Sequence, residues 1–307
     1  MQAASDSINS NFHLSHYHDR KLVISGPCSA ETEQQVMATA QQLLQTGIVD
    51  VFRAGIWKPR TRPGSFEGVG TKGLYWLQQA KAATGLPLAI EVATEQQVED
   101  ALRFDIDALW IGARSTANPF SVQALANVLK GVDIPVFIKN PTNPDIALWM
   151  GALERLEHAG LKQLALIHRG FSTPYNASYR NAPLWHIAME MKNRYPQLMM
   201  LNDPSHISGR RNGLKEIVEK AYNLNYDGFI IEAHHDPDKA WSDAAQQITP
   251  EVLNELLNIT QSKPLVQKPC SYSSKEIITQ QLHHLKDELQ YLKDKSSAME
   301  ALLKDAI

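Results

Sequence analysis

DALWIGARSTANPFSVQALANVLKGVDIPVFIKNP, residues 107–141, holds one full period of the pattern that organises the chain. DALWIGAR (107–114) and IPVFIKNP (134–141) are short apolar runs, and residues 117–130 between them read as a helix. A strand that is apolar on both faces, followed by a helix and another such strand, is the signature of a parallel βαβ unit. The same rhythm extends in both directions. Upstream lie KLVISGPCSA (21–30), VDVFRAGIW (49–57) and LPLAIEVAT (86–94). Downstream lie KQLALIHRGF (162–171), QLMMLNDPSH (197–206) and DGFIIEAHH (227–235). Helical patterns such as 32–46 and 144–159 separate the runs, and 249–260 follows the last one. Eight strand–helix repeats predict an α/β fold, a (β/α)8 TIM barrel over 21–260, with a doubly wound open sheet as the alternative.

In such a barrel, functional groups project from the C-terminal ends of the strands and the loops beyond them. Each apolar run here ends in residues that a core rejects. Arg53, Lys58, Arg114, Lys139 and Arg169 put five cations at that mouth, and the strand ends carry few acids to match them. Buried charges need partners, because desolvation costs several kcal/mol. An anionic ligand supplies them, and arginine suits carboxylate and phosphate in particular. Cys28, His206, Glu232 and Asp243 form a second group, from runs one, seven and eight, which are neighbours in a closed barrel. Thiolate, imidazole and carboxylates together suit a divalent ion, although each residue alone also reads as core filler or a helix cap. His234 and His235 are rival ligands, of which adjacent strand positions allow at most one to face inward.

The composition is that of a soluble enzyme. Of 307 residues, 43% are hydrophobic and 21% charged, and the net charge of −3 argues against nucleic-acid or membrane partners. The two cysteines, Cys28 and Cys270, make no disulfide framework, which points to a reducing, cytoplasmic compartment. Neither a signal peptide nor a membrane span is evident. Residues 1–20, with His13, His16 and His18, read as a solvated N-terminal arm, and 261–274 as a linker.

Seven blocks in order carry a resemblance: GPCSAET (26–32), FRAGIWKPRTRPGSFEG (52–68), IGARSTANPF (111–120), IKNP (138–141), HRGF (168–171), DPSHISGRR (203–211) and IEAHHDPDKAWSDAAQQITP (231–250). From about Lys21 to Thr260 the chain resembles the 3-deoxy-D-arabino-heptulosonate 7-phosphate (DAHP) synthases, in the short bacterial branch often fused to a C-terminal chorismate mutase domain. The resemblance implies condensation of phosphoenolpyruvate with erythrose 4-phosphate, the first step of the shikimate pathway to aromatic amino acids. It implies one divalent metal ion (Mn, Fe, Co or Zn) on Cys28, His206, Glu232 and Asp243. Arg53, Lys58, Arg114, Lys139 and Arg169 would bind phosphoenolpyruvate, Arg60 and Thr61 would bind erythrose 4-phosphate, and Lys58 would act as proton donor. The 3-deoxy-octulosonate 8-phosphate synthases run the same chemistry on arabinose 5-phosphate, but Lys-Pro-Arg-Thr (58–61) follows the DAHP pattern. A catalytically dead regulatory barrel would have lost one of these residues, and none is missing. His168 departs from the family, where many members carry an acid.

Residues 275–307 read as one long helix, a truncated or vestigial chorismate mutase-like region. Ile278, Leu282, Leu285, Leu289, Leu292, Met299 and Leu303 fall on alternating four- and three-residue steps, interrupted only by Ser296. That is a heptad seam, suited to a second helix in a homo-oligomer or to the barrel itself. No arginine follows Arg211, although a dicarboxylate such as chorismate calls for one. The expectation is a tail for assembly or regulation, without mutase activity.

Overall fold

Leu22–Gly26 pairs in parallel with Gly228–Glu232, from Leu22 opposite Gly228 to Gly26 opposite Glu232, so the last strand closes on the first. The computed structural model describes residues 12–17, 19–58, 64, 66–174, 179–261 and 271–305. Its strands are β1 (Leu22–Gly26), β2 (Val51–Arg53), β3 (Leu88–Val92), β4 (Ala108–Ile111), β5 (Val136–Lys139), β6 (Leu164–His168), β7 (Met199–Asn202) and β8 (Gly228–Glu232), hydrogen-bonded in chain order into a closed barrel. The expected (β/α)8 architecture is therefore the one observed.

The intervening helices are α1 (Glu33–Thr46), α2 (Lys72–Thr84), α3 (Glu95–Arg103), α4 (Ala113–Thr116), α5 (Pro119–Val128), α6 (Ile146–His158), α7 (Trp185–Arg194), α8 (Pro204–Ser208), α9 (Leu214–Asn223), α10 (Pro250–Gln261) and α11 (Ser274–Asp305). Their starts are written locally. Thr32, Thr94 and Asp145 each accept a backbone N–H of the first turn, and Asn118 does so ahead of Pro119 at the first helical position. Most of the apolar core lies between strands and helices, with Leu43, Leu77, Leu109, Trp149 and Leu153 fully buried. A second layer fills the barrel itself with Ile24, Val51, Ala89, Trp110, Phe137 and Ile230.

Two expectations change. Over residues 12–17 the chain is not a solvated arm: Leu14–Tyr17 is a 3-10 turn, and Phe12, Leu14 and Tyr17 join the cluster inside the barrel. Leu14 N–H donates to Gln163 Oε1, just ahead of β6, so the segment plugs the N-terminal end of the barrel. Three large apolar residues among polar neighbours were enough to bury it, because an open barrel bottom exposes core side chains. Residues 1–11 and His18 lie outside the described residues, as do 262–270 of the linker with Cys270.

The second change concerns the tail. α11 runs as expected and lies on α7, but the seam is not the face that docks. Ile277, Gln280, His284, Glu288 and Tyr291 are its half-buried side. Asn193 and Tyr272 exchange two hydrogen bonds ahead of it, and the His186 and His284 rings stack at 6.1 Å. The seam points outward, with Ile278 60% exposed and Leu285 52%.

Candidate active site

The barrel register puts charged residues at the last position of several strands: Arg53 on β2, Lys139 on β5 and Glu232 on β8. Arg114 sits in α4 directly after β4, Arg169 directly after β6, and His206 in α8 after β7. All of them surround one open end. There a cavity of about 360 Å³, within the range of small-ligand pockets, is lined by Lys58, Arg114, Lys139, Arg169 and Arg180, with Glu91 and Asp243 as its carboxylates. Five cations face two carboxylates, so the cavity favours anions. Burial pulls the Arg169 guanidinium down to about 10, and repulsion from Arg180 and Arg114 adds to the effect. A bound anion would relieve both.

The floor is more finely paired than the sequence suggests. Lys139 Nζ lies 3.0 Å from Asp203 Oδ2, both buried. Arg53 does not line the cavity. It is 3% exposed and donates from Nη2 to the Cys28 carbonyl at 3.1 Å, while Nη1 meets Glu232 Oε1 at 3.4 Å. Its guanidinium stands 4.7 Å from the Trp110 ring centroid, and Trp110 in turn donates to Glu91. Arg60 and Thr61 lie outside the described residues.

The acid-rich group meets in pairs. Cys28 Sγ donates to Asp243 Oδ2 at 3.1 Å, and His206 Nε2 lies 3.8 Å from Glu232 Oε1. Lys58 Nζ stands 2.6 Å from Cys28 Sγ. Among the described residues no three such side chains gather around one point as metal ligands do. The chemistry of the set nevertheless suits a cation. Burial first, and then Glu232, push the Cys28 thiol up to about 12, a repulsion that a divalent ion would reverse. Burial lowers the His206 pKa and favours the neutral ring. Asp203 takes the Nδ1 proton at 2.8 Å, which leaves the Nε2 lone pair free to coordinate. Against the cost of burial, His206 and Lys139 hold Asp203 well below the usual carboxylate range, and His206 and Arg53 lower Glu232.

The model of the DAHP synthetase I family matches residues 8–268. The chain belongs to that family. A phospho-2-dehydro-3-deoxyheptonate aldolase from Thermotoga maritima is 32% identical over 235 residues, covering 76% of this chain and 67% of that enzyme. A 2-dehydro-3-deoxyphosphooctonate aldolase from Geotalea uraniireducens is 30% identical over 259 residues, 78% of this chain and 91% of its own. Among solved structures, the Thermotoga maritima DAHP synthase superposes with a TM-score of 0.71 at 30% identity, covering 79% of this chain and 68% of that one. A truncated form of the Thermotoga enzyme gives 0.68 at 28% identity, covering 79% and 86%.

Within this DAHP synthetase fold, sequence reasoning overlooked Arg180, Asn181 and Gln246. Arg180 Nη1 meets Asp243 Oδ1 at 2.8 Å and Gln246 Oε1 at 2.7 Å, and Gln246 Nε2 donates to Glu232 Oε2 at 2.6 Å. Burial opposes ionisation of Asp243, but Arg180, Cys28 and Lys58 together outweigh it and hold the carboxyl far below its ordinary value. Arg180 and Asn181 lie between β6 and α7, outside every apolar run, so no strand-end rule picks them out. His168, by contrast, stays out of the cavity. It is fully buried behind it, between Tyr226 and Pro183.

Proposed function

We propose that the protein is a DAHP synthase, condensing phosphoenolpyruvate with erythrose 4-phosphate to give DAHP and inorganic phosphate. The observation that carries this reading is the five-cation cavity at the C-terminal end of a barrel that belongs to the DAHP synthetase I family. Arg114, Lys139 and Arg169 bind the phosphate and carboxylate of phosphoenolpyruvate, with Lys58 at the edge nearest Cys28. Arg53 contributes from below by holding the Cys28 carbonyl and Glu232. Arg60 and Thr61, next to Lys58 in the chain, bind the aldose phosphate. C3 of phosphoenolpyruvate bonds to the aldehyde carbon, and Lys58 gives a proton to the nascent alkoxide. Water adds at C2, and the resulting phosphohemiketal releases phosphate.

A divalent ion belongs to the same proposal, held by Cys28, His206, Glu232 and Asp243. When bound, such an ion supplies Lewis acidity to the aldehyde oxygen. We assign the enzyme to the cytoplasm, where the buried Cys28 thiol stays reduced. Among the described residues no helix is long and apolar enough to cross a membrane. The tail serves self-association through its exposed seam.

The test is phosphate release from phosphoenolpyruvate with each aldose. We expect kcat/KM at least about tenfold higher for erythrose 4-phosphate than for arabinose 5-phosphate, a difference of about 1.4 kcal/mol in transition-state binding. Equal values, or a preference for the pentose, would move the chain to the octulosonate branch, to which the Geotalea relative's name belongs.

A further inference from the structure

We propose that Arg180 and Asn181 are positioning residues, a two-residue bracket that holds the anion-binding cations and the acid-rich group in fixed relation. Asn181 is 7% exposed and uses both ends of its amide. Its Oδ1 accepts from Arg169 Nη1 at 2.7 Å, and its Nδ2 donates to the His206 carbonyl at 2.7 Å. One residue earlier, Arg180 reaches the other way, to Asp243, and through Gln246 to Glu232. Two adjacent side chains therefore touch an anion-site cation, the backbone of His206 and the Asp243 carboxylate, and reach Glu232 through Gln246.

The bracket has a built seat. Arg180 N–H and Asn181 N–H donate to the carbonyls of Ser208 and Ile207, at the end of α8. A glycine backs each residue. A Cβ on Gly170 would stand 2.6 Å from the Asn181 carbonyl oxygen, and one on Gly209 would stand 2.5 Å from Arg180 Cβ. Both glycines have positive φ, 78° and 69°, so side chains are disfavoured there twice over. Arg169 is long and flexible, and its orientation costs rotamer entropy unless something holds it. Asn181 does so before the anion arrives. Arg180 plays the corresponding part for Asp243, whose own backbone is left-handed at φ 52°.

The inference rests on the proposed anion site, and its test separates the two. Isothermal titration of the full chain with phosphoenolpyruvate, and separately with inorganic phosphate, gives Kd without turnover. Asn181→Ala should weaken both anions by about tenfold to a hundredfold, the loss expected for a hydrogen bond to a charged group. Arg180→Gln removes one cavity cation and should weaken both anions less than Asn181→Ala does, while lowering kcat at saturating substrates as well, because its partner is Asp243. Arg180→Lys, which keeps the charge but not the double contact, should restore kcat only in part. Wild-type affinity in Asn181→Ala overturns the bracket and leaves the function standing. Equal losses of anion affinity in both variants, with matching drops in melting temperature, reduce it to a structural clasp. A wild type that binds inorganic phosphate but not phosphoenolpyruvate removes the function, and Asn181→Ala with phosphate still decides the bracket. If the wild type binds neither anion, both proposals fall.

Discussion

His168 Nε2 faces the Pro183 carbonyl at 2.5 Å and must donate to it, so Nδ1 accepts from the Tyr226 hydroxyl at 2.8 Å. Burial drives its pKa down to about 3 and keeps the ring neutral. The unfolded chain binds this proton near pH 6.5, whereas the folded one resists until about pH 3. The stabilisation is therefore complete above pH 6.5 and is lost as pH falls through that window, by about 1.4 kcal/mol per pH unit. Replacing His168 with Gln should flatten the fall in denaturation midpoint between pH 6.5 and 4, measured in urea. An unchanged slope would mean that other groups, such as the paired carboxylates, govern acid unfolding. This residue was marked by its departure from the family, and the structure places it in packing behind the cavity rather than in the cavity.

Helix α11 begins with reciprocal hydrogen bonds: Glu276 N–H donates to Ser273 Oγ, and Glu276 Oε2 accepts from Ser273 N–H. Along it, two stripes run at heptad spacing, and the polar one faces the barrel. The apolar stripe is left in solvent, with Leu282, Leu289 and Leu292 between 42% and 53% exposed. A second copy of the same helix in parallel suits it. Lys295 of one helix then flanks Glu300 of the other, so these exposed charges complement. Light scattering should find the full chain dimeric or larger, and Leu285→Asp with Leu289→Asp should reduce it to a monomer that keeps synthase activity. A monomeric full chain would leave the seam to another partner. The same chain should convert no chorismate to prephenate, since residues 212–307 contain no arginine. Any measurable mutase turnover would contradict that.

The closed barrel brings groups from β1, β7 and β8 together, and the metal proposal depends on that convergence. Stripping the protein with chelator should abolish phosphate release, and a divalent transition ion should restore it. Since the ion would bind only the folded state, adding it should also raise the melting temperature. Cys28→Ala should lose both effects while retaining the barrel, because alanine fits a site that is 1% exposed. Full turnover in excess chelator, with no thermal shift on adding metal, would refute the ligand set.

Periodicity and strand-end chemistry made the barrel and most of its cationic mouth legible without a structure. Apolar runs such as DALWI and PVFIK state locally that both faces of a strand are covered, and eight of them leave little choice of architecture. Lys58, Arg114, Lys139 and Arg169 were found the same way, as charges where a core run ends. What depended on tertiary structure is which partner each charge meets. Arg53 and Arg169 both sit at strand ends in the sequence, yet one is sealed under Trp110 and the other lines the cavity. Arg180 meets Asp243 across 63 residues of chain, and Asn181 meets Arg169 across 12. Those meetings follow from barrel closure and from two glycines that let the backbone come close, and neither leaves a periodic trace. The tail shows the same division: its heptads were visible as a pattern, but only packing decided which stripe the barrel would take. The barrel flank at α7 stacks His186 on His284 of the tail and anchors Tyr272 through Asn193, and these contacts turn the polar stripe inward and leave the apolar one exposed.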